Sequence, residues 1–278
     1  MTTVGRWLAS QPDLDRLDRE LLVCRVAGLT RAQVLAQPER PLAEVANARL
    51  EAWANRRRSG EPLAYIVGTR EFWGLEFAVS PAVLVPRPDT ELLVETGLAL
   101  LEEVANAAAV APRVLDLGTG SGAVAVAIAR ERADAEVTAT DVSPDALAVA
   151  AANARRHAAD VTWLVSDWFD QVSGVFHVIL TNPPYVADYD PHLHDLAHEP
   201  RQALVAGRDG LDAIRRIVAG AAARLQPGGA LAIEHGATQA GAVRDLMAAG
   251  GLSQAVSHRD LAGLERVTVG RRRNRTNA

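Results

Sequence analysis

The sequence predicts an α/β protein in which a parallel sheet with helices on both faces follows a small helical bundle. From Thr90 onward, short apolar segments alternate with helical ones, which is typical of a parallel sheet covered on both faces. The first part of the chain shows helical periodicity alone. The length of 278 residues favours about two domains. We therefore predict a helical domain over 1–64, a hairpin connector over 65–89 and an α/β domain over 90–278.

Composition and charge exclude several classes of protein. Hydrophobic residues make up 49% of the chain, which is enough for a sizeable core and argues against disorder. The net charge is −5, whereas a general nucleic-acid binder is usually basic. Cys24 is the single cysteine, which excludes an internal disulfide and a thiolate-rich metal site. With neither a signal-peptide pattern nor an apolar run of the ~20 residues that span a bilayer, we expect a soluble cytoplasmic protein without a membrane partner.

The N-terminal segment has the pattern of a helical bundle. Thr30 followed by Gln33 is a capping box that begins a short helix. A later helix ends with basic residues at 56–58 before Gly60, and both features are favoured at a helix C-terminus. Leucines at helical spacing predict the buried face of an earlier helix: Leu14, Leu17, Leu21 and Leu22. Nothing in this segment looks catalytic.

The remaining elements follow in order along the chain. Residues 65–88 mix aromatic and β-branched residues with Gly and Pro, which predicts a hairpin. The alternating part is then predicted as helix ELLVETGLALLEEVANA, strand RVLDLG, helix, strand EVTATD, helix, and strands VTWLVSD and VFHVILTN. A helix from Leu211 to Leu225, a Pro-Gly-Gly turn and strand ALAIEHG come next. Residues 268–278 are interpreted as ending in a solvated, frayed basic tail.

A glycine-rich turn after the first strand of the sheet predicts a cofactor site. Glycine admits positive φ and lets a ligand approach the backbone closely. Asp141 closes the next strand, where an acid can accept two hydrogen bonds from a ribose diol. The spacing is G-x-G-x-G rather than the G-x-G-x-x-G of dinucleotide enzymes, and it suits an adenosine ligand without a pyrophosphate, such as S-adenosylmethionine. The alternative is a structural turn with a helix-capping Asp141. The turn comprises Gly118, Thr119, Gly120, Ser121 and Gly122.

The segment VSDWFD ends the third strand and offers two further ligand contacts. Asp167 can hydrogen-bond an adenine amino group, and Trp168 can cover a ring face. A plain core role for Trp168 is the alternative.

The segment TNPPY, Thr181 to Tyr185, stands at the carboxyl end of the fourth strand, where open α/β sheets bind ligands. Pro183 and Pro184 have no N–H, and Asn182 precedes a proline and is therefore extended. A planar NH₂ group can donate one hydrogen to the Asn182 side-chain oxygen and the other to the Pro183 carbonyl, while Tyr185 packs against its plane. We therefore expect Asn182, Pro183 and Tyr185 to be catalytic, and Pro184 to share in binding the substrate. A Pro-Pro turn that merely ends a strand is the alternative.

These motifs carry a family resemblance. From about residue 10 to residue 271, the chain resembles the bacterial release-factor glutamine methyltransferases, the PrmC/HemK family. The segments that carry the resemblance are EPLAYIVGTREFWGLEFAVSPAVLVPRPDTELLVE, LDLGTGSGAVAVAIA, SDWF, NPPY, EPRQALVAGRDGLDAIRRIV, GGALAIEHGATQ and DLAGLERVTVGR. The resemblance implies a Rossmann-like methyltransferase sheet, S-adenosylmethionine as donor, and the glutamine of the Gly-Gly-Gln motif of peptide chain release factors as substrate, methylated on its side-chain amide nitrogen (N5).

Carried over by position, the resemblance also implies residue roles. It makes Gly118–Gly122, Asp141, Trp168 and Asn182 the cofactor contacts, and Asn182–Tyr185 the glutamine site. The N-terminal helices then correspond to a substrate-docking domain. Asp89 stands where the family often has Glu, which we expect to be harmless.

Several alternatives remain at this point. A methyltransferase that acts on a glutamine of a ribosomal protein would share nearly every catalytic motif. A DNA adenine N6-methyltransferase would share NPPY but should show a basic face. A Rossmann oxidoreductase would leave NPPY unexplained, and a non-enzymatic scaffold would leave the whole motif set unexplained.

The irregular stretch from Val186 to Gly210 is expected to cover the active site. Its histidines are interpreted as part of a solvated loop rather than a metal site: His192, His194 and His198.

Overall fold

The structure is a computed structural model, and it describes residues 2–107 and 110–273. The chain divides into two compact units, Met1–Thr69 and Arg70–Ala278. None of the helices in the described ranges is both long enough and apolar enough to cross a bilayer.

The first unit is a bundle of short helices. Its helices are α1 (Val4–Ser10), α2 (Arg16–Ala27), α3 (Arg31–Ala36), α4 (Glu44–Arg58) and α5 (Leu63–Val67). Trp7, Leu22 and Leu50 are fully buried in its core. The predicted capping box is confirmed at the start of α3, where Thr30 Oγ1 accepts the Gln33 N–H and Gln33 Oε1 accepts the Thr30 N–H.

The predicted leucine face is wrong for part of this bundle. Leu17 and Leu21 are 45% and 37% exposed, whereas Leu22 and Val23 are buried. The reason is that α2 buries the flank that carries Glu20, whose carboxylate lies between Arg16 and Arg31 at 2.8 and 2.5 Å. A buried, ion-paired glutamate therefore lies on the face that α2 turns toward the bundle, and Leu17 and Leu21 lie on the other side. Helix α5 was also not predicted.

A hairpin lies within the predicted connector 65–89, whose first residues belong to α5 instead. It pairs β1 (Thr69–Phe72) with β2 (Leu75–Ala78). The Trp73 N–H in its turn donates to Glu91 Oε1 at 2.8 Å.

In the described part of the second unit, seven strands form one sheet in the order β5-β4-β3-β6-β7-β9-β8. The strands are β3 (Arg113–Leu117), β4 (Glu136–Asp141), β5 (Thr162–Val165), β6 (Phe176–Thr181), β7 (Leu225–Glu234), β8 (Leu252–Arg259) and β9 (Glu265–Arg272). The helices are α6 (Glu91–Ala107), α7 (Ala123–Glu131), α8 (Pro144–Arg156), α9 (Asp212–Arg224) and α10 (Ala240–Ala249). The α/β fold class predicted from the alternation is confirmed.

Helices cover both faces of the sheet because its central strands are apolar on both sides. Val114 of β3 packs with residues of α6 and α7, whereas the next residue, Leu115, packs with residues of α9 and α10. Strands β3 to β7 pair in parallel. Because β4 and β6 lie on opposite sides of β3, the strand order reverses there, and a crevice opens at the carboxyl ends of these strands.

Two predictions near the C-terminus are wrong. Residues interpreted as a basic tail form the end of β9, which pairs antiparallel with both β7 and β8 and buries Val267 and Val269. The alternation of β-branched residues in ERVTVGR is the signal that identifies this strand. Residues 274–278 of the predicted tail lie outside the described residues. The Pro-Gly-Gly at 227–229 lies inside β7, where the pairing with β6 shifts register between Phe176 and Val178.

Asn153 of α8 joins the hairpin to the glycine turn. Its amide donates to the Ala78 and Ser121 carbonyls at 3.0 and 2.9 Å and accepts the Ala78 N–H at 2.7 Å.

We predict that Asn153→Ala lowers the free energy of unfolding by about 1–3 kcal/mol or more, since about 1–3 kcal/mol is the cost of one unpaired buried polar group. Urea denaturation measures this, with Asn106→Ala on the exposed side of α6 as control. Equal losses in the two variants would contradict the bracing role of Asn153.

Candidate active site

A cavity of about 270 Å³ opens at the carboxyl ends of the parallel strands. It brings together most of the predicted site residues: Gly118, Thr119, Gly120, Ser121, Asp141, Asp167, Trp168, Asn182 and Pro184. The predicted residues Gly122, Pro183 and Tyr185 are not part of its lining. The glycine turn and the TNPPY segment, about 60 residues apart in sequence, therefore share one cavity.

Two glycines of the turn have different structural roles. Gly120 has φ +55°, and a Cβ on it would meet no atom within 4 Å, so its open side faces space that a ligand can fill. A Cβ on Gly122 would come within 3.0 Å of the Ala150 Cβ, so this position serves the packing of α7 on α8. A close approach of ligand to backbone is therefore available at Gly120 and not at Gly122.

Asp141 orients the turn and still faces the cavity. Its Oδ2 accepts the Gly120 N–H at 2.9 Å, and its Oδ1 accepts the Ser143 N–H at 2.9 Å. The side-chain cap of α8 is Ser143, whose Oγ accepts the Ala146 N–H. Asp141 is thus not the helix-capping side chain, and each of its oxygens keeps a lone pair for a ligand hydroxyl.

Asp116 is a cavity residue that the sequence analysis did not select. It is buried at the end of β3, and the Thr119 hydroxyl donates to its Oδ2 at 2.6 Å. Burial raises the pKa of Asp116 to about 7, and hydrogen bonds from Thr119 and the Ala125 N–H only partly oppose the rise. The signal was available, because an acid inside the apolar strand VLDLG has to have a partner.

Trp168 holds an unusual backbone conformation beside the turn. Its φ is +49°, which is rare for a bulky residue, and the Ser166 hydroxyl secures it by donating to the Trp168 carbonyl at 2.9 Å. A Cβ on Gly118 would lie 3.4 Å from the Trp168 ring. The ring therefore forms a wall of the cavity, and Asp167 beside it pairs with Arg216 at 2.8 Å.

Asn182 is held by one side of its amide. Its Nδ2 donates to the Thr90 hydroxyl oxygen at 3.0 Å, and Thr90 also lines the cavity. The preceding Thr181 donates to the Leu117 carbonyl at 2.8 Å, which ties the end of β6 to β3. Because Nδ2 is engaged by Thr90, Oδ1 of the same amide points away from Thr90 and can accept a hydrogen bond from a ligand.

Tyr185, which is not part of the cavity lining, contacts a buried acid. Its hydroxyl is 3.5 Å from Glu234 Oε1, at the outer limit of hydrogen bonding, and its carbonyl accepts from Gln239 Nε2 at 3.1 Å. Burial raises the pKa of the Tyr185 phenol, and the Glu234 carboxyl raises it further. Burial likewise raises the pKa of Glu234 to about 7.

The PRPDTE segment, residues 86–91, forms ion pairs with residues from other parts of the second unit. Arg87 pairs with the buried Glu199, whose Oε2 also accepts the Val85 N–H at 3.0 Å. Asp89 pairs with Arg266 at 3.3 Å.

Glu199 belongs to the long stretch that was expected to cover the site, and Pro200, Gln202 and Ala203 of that stretch line the cavity. The histidines of the same stretch are elsewhere: the His192 ring is exposed, and its Nδ1 lies 2.8 Å from Asp190 Oδ1. The described residues contain no cluster of side chains suited to hold a metal ion.

We predict that Asp116 makes folding stability depend on pH. Because its pKa is about 7 in the folded protein and ordinarily 3.8, the folded protein holds a proton over that interval that the unfolded chain releases. Its contribution to stability is complete at low pH and is lost, at about 1.4 kcal/mol per pH unit, as the pH rises toward 7. Urea titrations from about pH 5 to about pH 7 should therefore show Asp116→Asn gaining on the wild type as the pH rises. A constant difference between the two proteins would contradict the raised pKa.

Comparison with known proteins identifies the family. A family model described as PrmC N-terminal domain matches residues 7–68, and one described as Methyltransferase small domain matches residues 93–209. The chain is 49% identical over 279 residues to a release factor glutamine methyltransferase of Burkholderia pseudomallei, covering 97% of this chain and 96% of the relative. A relative of the same name from Pseudomonas aeruginosa is 48% identical and covers 92% of each chain.

Solved structures support the fold. A methyltransferase from Pyrococcus furiosus superposes with a TM-score of 0.53 at 18% identity, covering 83% of this chain and all of the other. A T. thermophilus 16S rRNA methyltransferase in complex with AdoMet and guanosine gives a TM-score of 0.54 at 22% identity, covering 74% of this chain and 50% of the other. The similarity to the curated relatives extends over nearly the whole chain, and the chain therefore belongs to the release factor glutamine methyltransferase family.

Proposed function

We propose that this protein transfers a methyl group from S-adenosylmethionine to the side-chain amide nitrogen of the glutamine in the Gly-Gly-Gln motif of peptide chain release factors. The observation that carries the proposal is that Asn182, held by Thr90, lines the same cavity as the glycine turn and Asp141. The family relatives, named release factor glutamine methyltransferases, support the choice of substrate. The proposed substrate implies a cytoplasmic enzyme.

The residues around the cavity suit S-adenosylmethionine. Asp141 offers free lone pairs to the ribose hydroxyls, Gly120 leaves open space beside its backbone, and Trp168 offers a ring face to the adenine. Asp116 is a buried carboxyl at the cavity wall, placed to pair with an ammonium group. The cofactor supplies a methyl group on a positively charged sulfur, and its transfer to an amide nitrogen leaves a neutral thioether and releases one proton.

The TNPPY corner suits a carboxamide substrate. We assign Asn182 Oδ1 and the Pro183 carbonyl as acceptors for the two N–H groups of the glutamine, and the Tyr185 ring as a wall against its plane. The amide nitrogen is a weak nucleophile, so the residues act by orientation, which can supply about 7–11 kcal/mol in favourable cases. Carbonyl dipoles beside the nitrogen also stabilise the positive charge that develops there.

The N-terminal helices, predicted over 1–64, are proposed to dock the protein substrate. The match of residues 7–68 to the PrmC N-terminal domain supports this assignment. Two other acceptors share the chemistry, a glutamine of a ribosomal protein and an adenine in DNA. We expect no transfer to DNA, since the chain has a net charge of −5 and binding to duplex DNA relies on basic residues.

We predict that Gly120→Ala weakens binding of S-adenosylmethionine. The added methyl would enter the open space beside the turn, and we expect a loss of affinity of roughly 10-fold or more, equivalent to about 1.4 kcal/mol. Gly28→Ala is the matched control. Gly28 also has a positive φ, +63°, and an added Cβ there would also meet no atom within 4 Å, but Gly28 is the C-cap of α2 in the first unit and is not part of the glycine turn. Both variants bear a similar backbone strain of about 1–2 kcal/mol. Calorimetric titration showing equal affinity in both would remove Gly120 from the cofactor site.

We predict that Asn182→Ala lowers methyl transfer to release factor by roughly 5- to 150-fold, from the about 1–3 kcal/mol cost of one lost partner of the substrate amide. The assay uses methyl-labelled S-adenosylmethionine with purified release factor, ribosomal proteins or duplex DNA as acceptor. Label is expected in the release factor and absent when the Gly-Gly-Gln glutamine is replaced by alanine. Label only in a ribosomal protein or in DNA would overturn the proposed function, and wild-type turnover by the variant would remove Asn182 from the mechanism.

A further inference from the structure

The side chain of Gln239, the residue before α10, joins three segments of the chain. Gln239 is the N-cap residue of that helix, yet its side chain makes no capping hydrogen bond. Its Oε1 instead accepts the Gly236 N–H at 2.9 Å. Its Nε2 donates to the Tyr185 carbonyl at 3.1 Å and lies 3.3 and 3.4 Å from the carbonyl oxygens of Asp209 and Gly210. The amide therefore joins segments around the cavity and does not serve its own helix.

The backbone groups around Gln239 allow only one orientation of its amide. Carbonyl oxygens accept hydrogen bonds and never donate them, so the three carbonyls have to face the NH₂ side. The Gly236 N–H only donates, so it has to face Oε1. Gln239 therefore offers its two N–H groups to the three carbonyls, and neither an acid nor an alkyl side chain can take over that task.

The three carbonyls belong to the two ends of the covering stretch, residues 186–210. Tyr185 directly precedes the stretch and is the last residue of TNPPY, whereas residues 209 and 210 end the stretch. The two ends are tightly packed, because a Cβ on Gly210, which has φ +72°, would overlap the Tyr185 carbonyl oxygen. Gln239 thus holds together two pieces of backbone that approach each other closely.

This junction sets the position of one wall of the cavity. The Val186 N–H donates to the Leu204 carbonyl at 2.8 Å, and the Ala206 N–H donates to the Val186 carbonyl at 3.0 Å. Ala203, directly before these pairings, lines the cavity. The wall formed by the covering stretch is therefore attached to the backbone that follows Tyr185, at the end of the TNPPY corner.

We infer that Gln239 is a positioning residue of the glutamine site, whose NH₂ group fixes the Tyr185 carbonyl, and with it the TNPPY corner, against the end of the covering stretch. The inference rests on the proposed function, because it takes the TNPPY corner as the place where the substrate amide is held. Gln239 is not part of the cavity lining, so it acts through Tyr185. Such support matters because a misplacement of about 1 Å can slow a reaction about 100-fold.

The main test is Gln239→Glu, which replaces the NH₂ group by an oxygen at nearly the same shape. The carboxylate repels the three carbonyls and displaces the corner, and we expect kcat with release factor as acceptor to fall roughly 10-fold or more. The carbonyls raise the pKa of the introduced carboxyl above its ordinary value of about 4.3, and the protonated form can donate one hydrogen bond again. The ratio of variant to wild-type kcat should therefore rise as the pH falls from about 8 to about 5.

Two further variants complete the test. Gln239→Ala removes the donor without adding repulsion, so we expect kcat to fall roughly 5-fold or more, by the same factor at every pH. It also decides the question if the glutamate variant does not fold. Gln254→Glu is the matched control, since it adds the same charge at an exposed position of β8 and should leave kcat unchanged. Calorimetry should give the wild-type affinity for S-adenosylmethionine in all three variants.

Wild-type kcat in a folded Gln239→Ala variant would overturn the inference, as would a Gln239→Glu variant whose loss is the same at every pH. A parallel loss of affinity for S-adenosylmethionine would overturn it too, because the whole cavity and not the glutamine site would then depend on Gln239. A wild-type enzyme that does not methylate release factor would instead overturn the proposed function, so the two failures are distinguishable. Thermal unfolding checks that each variant is folded.

Discussion

The parallel pairing of β3 with β4 on one side and β6 on the other is the constraint on which the site depends. Val114 of β3 is in register with Val137 of β4 and Val178 of β6, so all three strands end at the same edge of the sheet. Hydrogen bonds continue past the strand ends, from the Thr119 N–H to the Thr140 carbonyl at 2.9 Å and from Thr181 to Leu117. The glycine turn, Asp141 and Asn182 are therefore fixed relative to one another by the strand pairing and by these hydrogen bonds.

Several residues at the carboxyl edge of the sheet lower the stability of the fold. Asp116 and Glu234 are buried acids, and the pKa of each is raised to about 7 by loss of solvent. Trp168 adds a backbone conformation that a bulky residue seldom adopts. Departures of this kind cluster where function needs them, because the surrounding structure can hold a costly group in place. Here Asp116 and Trp168 line one cavity, and Glu234 lies 3.5 Å from the hydroxyl of Tyr185 in the TNPPY segment.

The PRPDTE segment shows how residues without chemistry of their own can characterise a family. Its side chains reach separate partners: Arg87 to Glu199, Asp89 to Arg266, Thr90 to Asn182, and Glu91 to the Trp73 N–H. The segment thus joins the hairpin, the covering stretch, the TNPPY segment and β9. Asp89, which stands where the family often has Glu, pairs with Arg266, and its being harmless stays a prediction.

Sequence by itself determined the α/β class, the order of most strands and helices, and the two motifs that meet in the cavity. These depend on local signals, namely periodicity, glycine spacing and prolines, which act over a few residues. Tertiary structure decided that Leu17 faces solvent, that residues 265–272 complete the sheet, and that Thr90 and Asp116 line the site. The physical reason is that burial and hydrogen-bond partners come from segments distant in the chain, as Thr90 and Asn182 illustrate, and no local pattern encodes which distant segment will be the neighbour.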